Sequence, residues 1–194
     1  MTHYHHQSSS DKKAYLEGKE RREALPPEAV LDLVTFGDSG RVLDLGAGTG
    51  YLTLPAAERT EGRVYALDRD REMLELIEAR AAQDSLTNIQ TIEGEMNQLP
   101  FAEASVEVVL ASLVLHEAPS LAPVLEEVQR VLVPGGSLVI VELENNSSHA
   151  HNAPRVSPEQ MEEAVSRVGL HVTGHSFPAS GFYTTTAIKN QIDY

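Results

Sequence analysis

No cysteine occurs in the 194 residues, which excludes disulfides, thiolate metal ligands and a cysteine nucleophile together. Long apolar runs are missing as well: no stretch approaches the roughly 20 residues needed to span a bilayer. Met1-Thr2-His3-Tyr4-His5-His6-Gln7 lacks the apolar core of a secretory signal, so a cytoplasmic location is expected. Basic residues are scarce, with 15 Lys and Arg against 29 Asp and Glu and a formal net charge of −14; the sequence pI is about 4.9. Such a field repels phosphate backbones. Arg21, Arg22, Arg69 and Arg71 are interleaved with acids and make no local basic patch. Neither nucleic acid nor a membrane is an expected partner. A small molecule is the expected substrate, and a protein substrate stays open.

What is present is a chain of one-domain length, 41% hydrophobic, enough for a sizeable core. Its most informative stretch is Val42-Leu43-Asp44-Leu45-Gly46-Ala47-Gly48-Thr49-Gly50. An apolar run ending in an acid, followed by glycines at alternate positions, describes a strand turning sharply into a helix. Glycine there permits positive φ and a close approach to the main chain. A helix over 51–59 follows, its first N–H groups expected to point back at a ligand.

From that corner the pattern alternates. Strands are expected over 63–68, 89–94, 106–111 and 137–142. Helices are expected over 70–83, with Asp70 as cap and Met73, Leu74, Ile77 and Ala81 as an apolar stripe, and over 121–132. Val133-Pro134-Gly135-Gly136 reads as a turn and 144–154 as a polar loop with His149 and His151. Ser157-Pro158-Glu159-Gln160 opens a further helix with Ser as cap and Pro first. Strands over 170–176 and 183–189, with no helix between them, read as an antiparallel pair. The expected fold is therefore α/β and doubly wound, a mostly parallel sheet with one antiparallel strand and helices on both faces. Residues 1–25 read as a terminal arm and 26–194 as the domain proper. Three histidines on that arm, His3, His5 and His6, make a weak metal site without a neighbouring acid, and no metal is assigned. The arm is instead a candidate lid, with Tyr4 or Tyr15 near the substrate.

Ligands in such sheets sit beyond the carboxyl ends of the strands, where strand order reverses. The dinucleotide fingerprint G-x-G-x-x-G is not met, because the third glycine stands one residue early at Gly50 and Tyr51 takes its place. Asp44 beside the loop repels a pyrophosphate and favours a cationic group such as an α-amino group or a sulfonium. Asp68, about twenty residues after the glycines, stands where an acid hydrogen-bonds both hydroxyls of a ribose. Glu95 and the Met96 N–H are placed to read an adenine edge. His116, after the fourth strand, is a candidate general base or a brace for its loop, and Glu117 is expected to face solvent.

Asp44 to Gly50, Asp68, Gly94-Glu95, Leu99-Pro100-Phe101 and Leu132-Val133-Pro134-Gly135-Gly136 together resemble the class I S-adenosylmethionine-dependent methyltransferases. The likeness is closest to the small-molecule branch with the ubiquinone and menaquinone biosynthesis enzymes, and covers about residues 26–189. It implies a seven-stranded Rossmann-like sheet with the last strand antiparallel. It further implies that Asp44 lies near the methionine amino group and that Gly46, Ala47 and Gly48 line the methionyl and ribose region. Asp68 would bind the ribose hydroxyls, Arg69 flank the adenine, Glu95 and Met96 hold its edge, and Ala111 offer its carbonyl to the amino group. The family more often has Asp where this chain has Glu95. The cofactor implied is S-adenosylmethionine, with S-adenosylhomocysteine as product and a small-molecule methyl acceptor. The lack of cysteine counts against an arsenite methyltransferase-like role, since that chemistry in the family relies on thiolates. Two other readings stay open: a non-catalytic S-adenosylmethionine-binding or metal-sensing module, and an NAD(P)-dependent oxidoreductase. The sequence names neither the acceptor nor the oligomeric state.

Overall fold

Along Val42–Leu45 (β1) and Val106–Ser112 (β4) the side chains are almost all buried, which a strand achieves only when both faces of its sheet are covered. The computed structural model, which describes residues 23, 25–37, 40–144 and 155–191, shows how that cover is made. Besides β1 and β4 the strands are Val64–Asp68 (β2), Ile89–Glu93 (β3), Leu132–Leu143 (β5), Leu170–Ala179 (β6) and Phe182–Lys189 (β7). They form one seven-stranded sheet in the order β3-β2-β1-β4-β5-β7-β6. The pairs from β3 to β5 are parallel, and β7 runs antiparallel to both of its neighbours. Strand order reverses between β1 and β4, so the crevice at their carboxyl ends is the favoured ligand position.

Successive residues of the central strands point to opposite faces. Leu43, Leu45, Val109, Ala111 and Ile140 pack under helices Leu121–Val131 (α4) and Pro158–Arg167 (α5). Val42, Val108, Leu110, Val139 and Val141 pack on the other face with Leu25, with Val30 and Leu31 of Pro27–Leu31 (α1), and with Leu52 and Ala56 around Thr53–Ala57 (α2). Leu74 and Ile77 of Arg71–Gln83 (α3) cover Ala66 and Ala47. The caps expected at the starts of α3 and α5 are both formed: Asp70 accepts from the Glu72 N–H, and Ser157 with Gln160 makes a reciprocal capping box.

Three local expectations are revised. The helix over 51–59 shrinks to Thr53–Ala57, because Gly46, Gly48 and Gly50 hold φ at 69°, 53° and 84° and keep the chain turning before it. Val133 to Gly136 is not a turn between elements but an outward bulge inside β5: Val106 pairs with Leu132 and Val108 with Ser137, so one β4 residue faces four. The turn between β6 and β7 tightens to Ser180 and Gly181, with Ala179 already paired to Phe182.

Leu99-Pro100-Phe101 is fastened from α4. Arg130 donates to the carbonyls of Phe101 (2.7 Å) and Leu99 (3.1 Å), and Glu127 accepts from the Leu99 N–H at 2.7 Å. The Arg130 guanidinium, hydrogen-bonded to Glu127, holds its carboxyl below the usual carboxylate range. No helix among the described residues is long and apolar enough to cross a membrane. The arm, with His3, His5, His6, Tyr4 and Tyr15, and the loop with His149 and His151 lie outside the described residues.

Candidate functional site

Strand β1 delivers Asp44 to its carboxyl end and the glycine turn carries the chain over the sheet edge. Four N–H groups of that turn are committed within the protein. Gly46 and Ala47 donate to the Leu67 carbonyl at 2.8 and 3.0 Å, and Gly50 donates to Ala47 at 2.9 Å. Gly48 donates to Asp68 Oδ2 at 2.8 Å. These four are therefore not an anion cradle. Gly46 is demanded by packing: a Cβ there would meet Val114 Cγ2 at 2.2 Å.

Asp68 ends β2. Its Oδ1 accepts from the Asp70 N–H at 3.0 Å while Oδ2 holds Gly48. Each carboxylate oxygen retains a further lone pair, so the group is fixed in place and still able to accept from two hydroxyls. Asp44 is buried at 2% exposure, and Thr53 Oγ1 donates to its Oδ2 at 2.6 Å. Replacing Thr53 by valine removes that donor at constant shape. The expected result is a loss of about 1–3 kcal/mol of stability, measured as a lower midpoint in urea unfolding.

These residues wall a cavity of about 240 Å³ over the carboxyl ends of β1, β2 and β4. Asp44, Asp68, Asp70, Glu95 and Glu117 supply its acids and Arg69 its only cation among the described lining residues. Arg69 is itself paired with Glu117 at 3.4 Å. Of the residues singled out in the sequence, the structure gathers Asp44, Gly46, Ala47, Gly48, Asp68, Arg69, Glu95 and Met96 around this one cavity. Ala111 is 1% exposed within β4, and the wall there is formed by Ser112, Leu113 and Val114. Glu117, expected in solvent, is instead part of the wall.

His116 sits in a short 3-10 turn, Leu115–Glu117, between wall residues Val114 and Glu117. Its backbone N–H donates to Glu142 Oε1 at 3.2 Å and its Nδ1 lies 2.7 Å from Glu142 Oε2. Glu142 is 2% exposed near the end of β5. Sequence patterning assigned Glu142 only to a strand, and its partner stands 26 residues away. Ser112 was missed because it joins the wall only through the pairing of β4 with its neighbours, and Thr53 because it reaches Asp44 from the start of α2. Among the described residues no group of three or more His, Asp or Glu is arranged to hold a metal.

The site therefore offers fixed carboxylates to hydroxyls and to positive charge, and few donors to an anion. A family model described as "Methyltransferase domain" matches residues 37–187. The chain belongs to this family. By family and fold this methyltransferase domain is of the class I, S-adenosylmethionine-dependent kind. It is 37% identical over 103 residues to a demethylmenaquinone methyltransferase of Lactococcus lactis, covering 52% of this chain and 41% of that protein. It is 36% identical over 101 residues to an arsenite methyltransferase of Halobacterium salinarum, covering 51% of this chain and 26% of that one. The matches thus span less than half the length of either relative. A methyltransferase structure from Aquifex aeolicus described as SAM dependent superposes with a TM-score of 0.83 at 24% identity, covering 94% of this chain and 99% of that one. That likeness establishes the doubly wound fold of the domain with its single antiparallel strand.

Proposed function

We propose that this methyltransferase domain binds S-adenosylmethionine in the cavity at the end of β1 and transfers its methyl group to a small-molecule acceptor. The observation that carries the reading is the pairing of an acid-lined cavity with a glycine turn in which the N–H groups of Gly46, Ala47, Gly48 and Gly50 are already bonded inside the protein. A pyrophosphate needs free donors and meets carboxylates here. A sulfonium, an α-ammonium and a ribose diol find what they need.

In this assignment Asp68 accepts from the ribose hydroxyls, held still by Gly48 and Asp70. Asp44, oriented by Thr53, faces the methionine amino group. Gly46, Ala47 and Gly48 line the methionyl and ribose region, Arg69 flanks the adenine, and Glu95 and Met96 read its edge. When bound, the cofactor supplies an activated methyl on a sulfonium, so the protein's task is alignment and exclusion of water. The buried Leu113, Val114 and Leu52 provide that exclusion.

The relatives' names point to two acceptor classes, a quinone ring and arsenite. This chain contains no cysteine, so it has no thiolate with which to hold a metalloid. An organic acceptor is favoured. Isothermal calorimetry with S-adenosylhomocysteine and with NADH tests the cofactor: binding of the first and no heat from the second is expected. The reverse pattern contradicts the proposal.

A further inference from the structure

Leu99-Pro100-Phe101, one of the motifs that carry the family likeness, has no task in the cofactor assignment. It follows the residues that read the adenine edge, yet none of the three lines the cavity. The chain before it explains what it does. Between the end of β3 at Glu93 and the start of β4 at Val106 there is no helix or strand, and Glu95, Asn97 and Gln98 are exposed. A segment of this kind keeps a side chain in a fixed place only when it is tied down at both ends. The near end is tied by the Gly94 N–H, which donates to the Asp68 carbonyl at 3.0 Å. The far end is tied by α4.

Three backbone groups of Leu99 and Phe101 end on one ion pair of that helix. Glu127 Oε2 accepts from the Leu99 N–H at 2.7 Å. Arg130 Nη1 donates to the Phe101 carbonyl at 2.7 Å and Nη2 to the Leu99 carbonyl at 3.1 Å. The two side chains also hold each other, with Arg130 Nε donating to Glu127 Oε1 at 2.7 Å and Nη2 to Oε2 at 2.8 Å. Pro100 between them has no N–H to satisfy. Apolar contacts seat the same residues: Leu99 is buried, and Phe101 meets Tyr65 of β2 edge-on with ring centres 5.0 Å apart. A planar guanidinium offers donors in a fixed fork to two carbonyls and a carboxylate at once, which a lysine ammonium does not. Neither Glu127 nor Arg130 lines the cavity.

Between the two ties stand Glu95 and Met96, both in the cavity wall. The Met96 N–H has no backbone partner among the described residues. An adenine presents an exocyclic amine, which donates, beside a ring nitrogen that accepts. Hypoxanthine reverses both, with a carbonyl oxygen beside a ring N–H. A carboxylate next to a backbone N–H matches the first order and opposes the second. That discrimination holds only while the two groups keep their places, because a shift of the loop lets water or another edge of the base fill the contacts.

We infer that Glu127 and Arg130 are positioning residues for base recognition: from α4 they hold the 94–101 segment so that Glu95 and Met96 accept adenine and reject hypoxanthine. The inference rests on the cofactor reading above and assigns the base specificity of that site to two residues outside the cavity. They act through the backbone of Leu99 and Phe101. The ribose acceptor Asp68 is held separately, by the Gly48 and Asp70 N–H groups. Loss of the clamp therefore falls on the base contacts and spares the ribose contact.

The test uses the full chain, with S-adenosylhomocysteine and its hypoxanthine counterpart S-inosylhomocysteine as calorimetric probes. The wild type is expected to bind the first about a hundredfold or more tightly than the second. Arg130→Met removes the fork and is expected to reduce that ratio by about tenfold, chiefly by weakening S-adenosylhomocysteine. Glu127→Gln keeps the shape and an acceptor for the Leu99 N–H but disrupts the pairing with Arg130, and a smaller fall in the ratio is expected. Circular dichroism and urea unfolding accompany each variant. A merely structural role weakens both ligands equally and leaves the ratio at its wild-type value. That result in Arg130→Met overturns the inference, and should Arg130→Met not fold, the same result in Glu127→Gln overturns it. A wild type that binds the two ligands alike also overturns it and leaves the cofactor reading standing. If the wild type binds neither, the cofactor reading fails and the inference fails with it.

Discussion

Asp68→Ala is expected to weaken S-adenosylhomocysteine binding by about 3 kcal/mol, roughly a hundredfold in Kd. Loss of hydrogen bonds from a charged acceptor to a ribose diol accounts for much of that. The structure adds a second contribution, because the same carboxylate holds the Gly48 and Asp70 N–H groups at 2.8 and 3.0 Å. Removing it frees the glycine turn from the end of β2 as well as deleting the ribose acceptor. Asp68→Asn separates the two effects. Its amide oxygen still accepts from one N–H, but its NH2 meets donors, so an intermediate loss is expected. Calorimetry gives the affinity and circular dichroism confirms that the sheet is retained. An unchanged Kd in Asp68→Ala would remove Asp68 from the ribose site.

Gly46→Ala is expected to be costly to the fold itself. The backbone there has φ of 69°, and a non-glycine residue held in the left-handed region costs about 1–2 kcal/mol. The new Cβ would also stand 2.2 Å from Val114 Cγ2 and 2.8 Å from its Cβ. Relief requires Val114 to move, and Val114 is part of the cavity wall. Overpacking of this kind costs a further 1–3 kcal/mol or so. A combined destabilisation of about 3 kcal/mol is therefore expected in urea unfolding, with weaker S-adenosylhomocysteine binding in the remaining folded protein. Val114→Ala introduced alongside should recover part of the loss, since it removes both Cγ atoms but neither the Cβ contact nor the strained φ. Full recovery would mean that sterics alone required glycine, and no recovery would mean that Val114 is not the obstacle.

These two residues also show what could be read without coordinates. The strands Val42–Leu45 and Val64–Asp68 were legible as short, mostly buried apolar runs, and the helix Arg71–Gln83 by its cap Asp70 and the helical spacing of buried Met73, Leu74, Ile77 and Ala81. The acids at the cavity were legible because they follow strands directly, which places them at carboxyl ends whatever the packing. What escaped depends on partners distant in sequence. The turn N–H groups look available until Leu67 and Asp68 of the adjacent strand take them up. Glu117 looks exposed until Arg69, 48 residues away, draws it to the cavity wall. Glu142 is one more strand residue until β4 and β5 pair and carry His116 onto it. Val133 to Gly136 has the composition of a turn, and only the β4 register reveals it as a bulge within one strand.

The cavity is lined from the carboxyl ends of β1, β2 and β3 and, across the strand-order reversal, by Ser112, Leu113 and Val114 at the end of β4. Identity to the curated relatives covers only part of the chain, and loops and terminal segments are where acceptor specificity is set.

A crystal structure of the protein grown with S-adenosylhomocysteine tests the central claim most directly. The account predicts density in the cavity beyond β1, with both ribose hydroxyls within hydrogen-bonding distance of Asp68, the amino group facing Asp44, and the adenine edge at Glu95 and Met96. A ligand bound elsewhere, or bound here with its ribose away from Asp68, would contradict it.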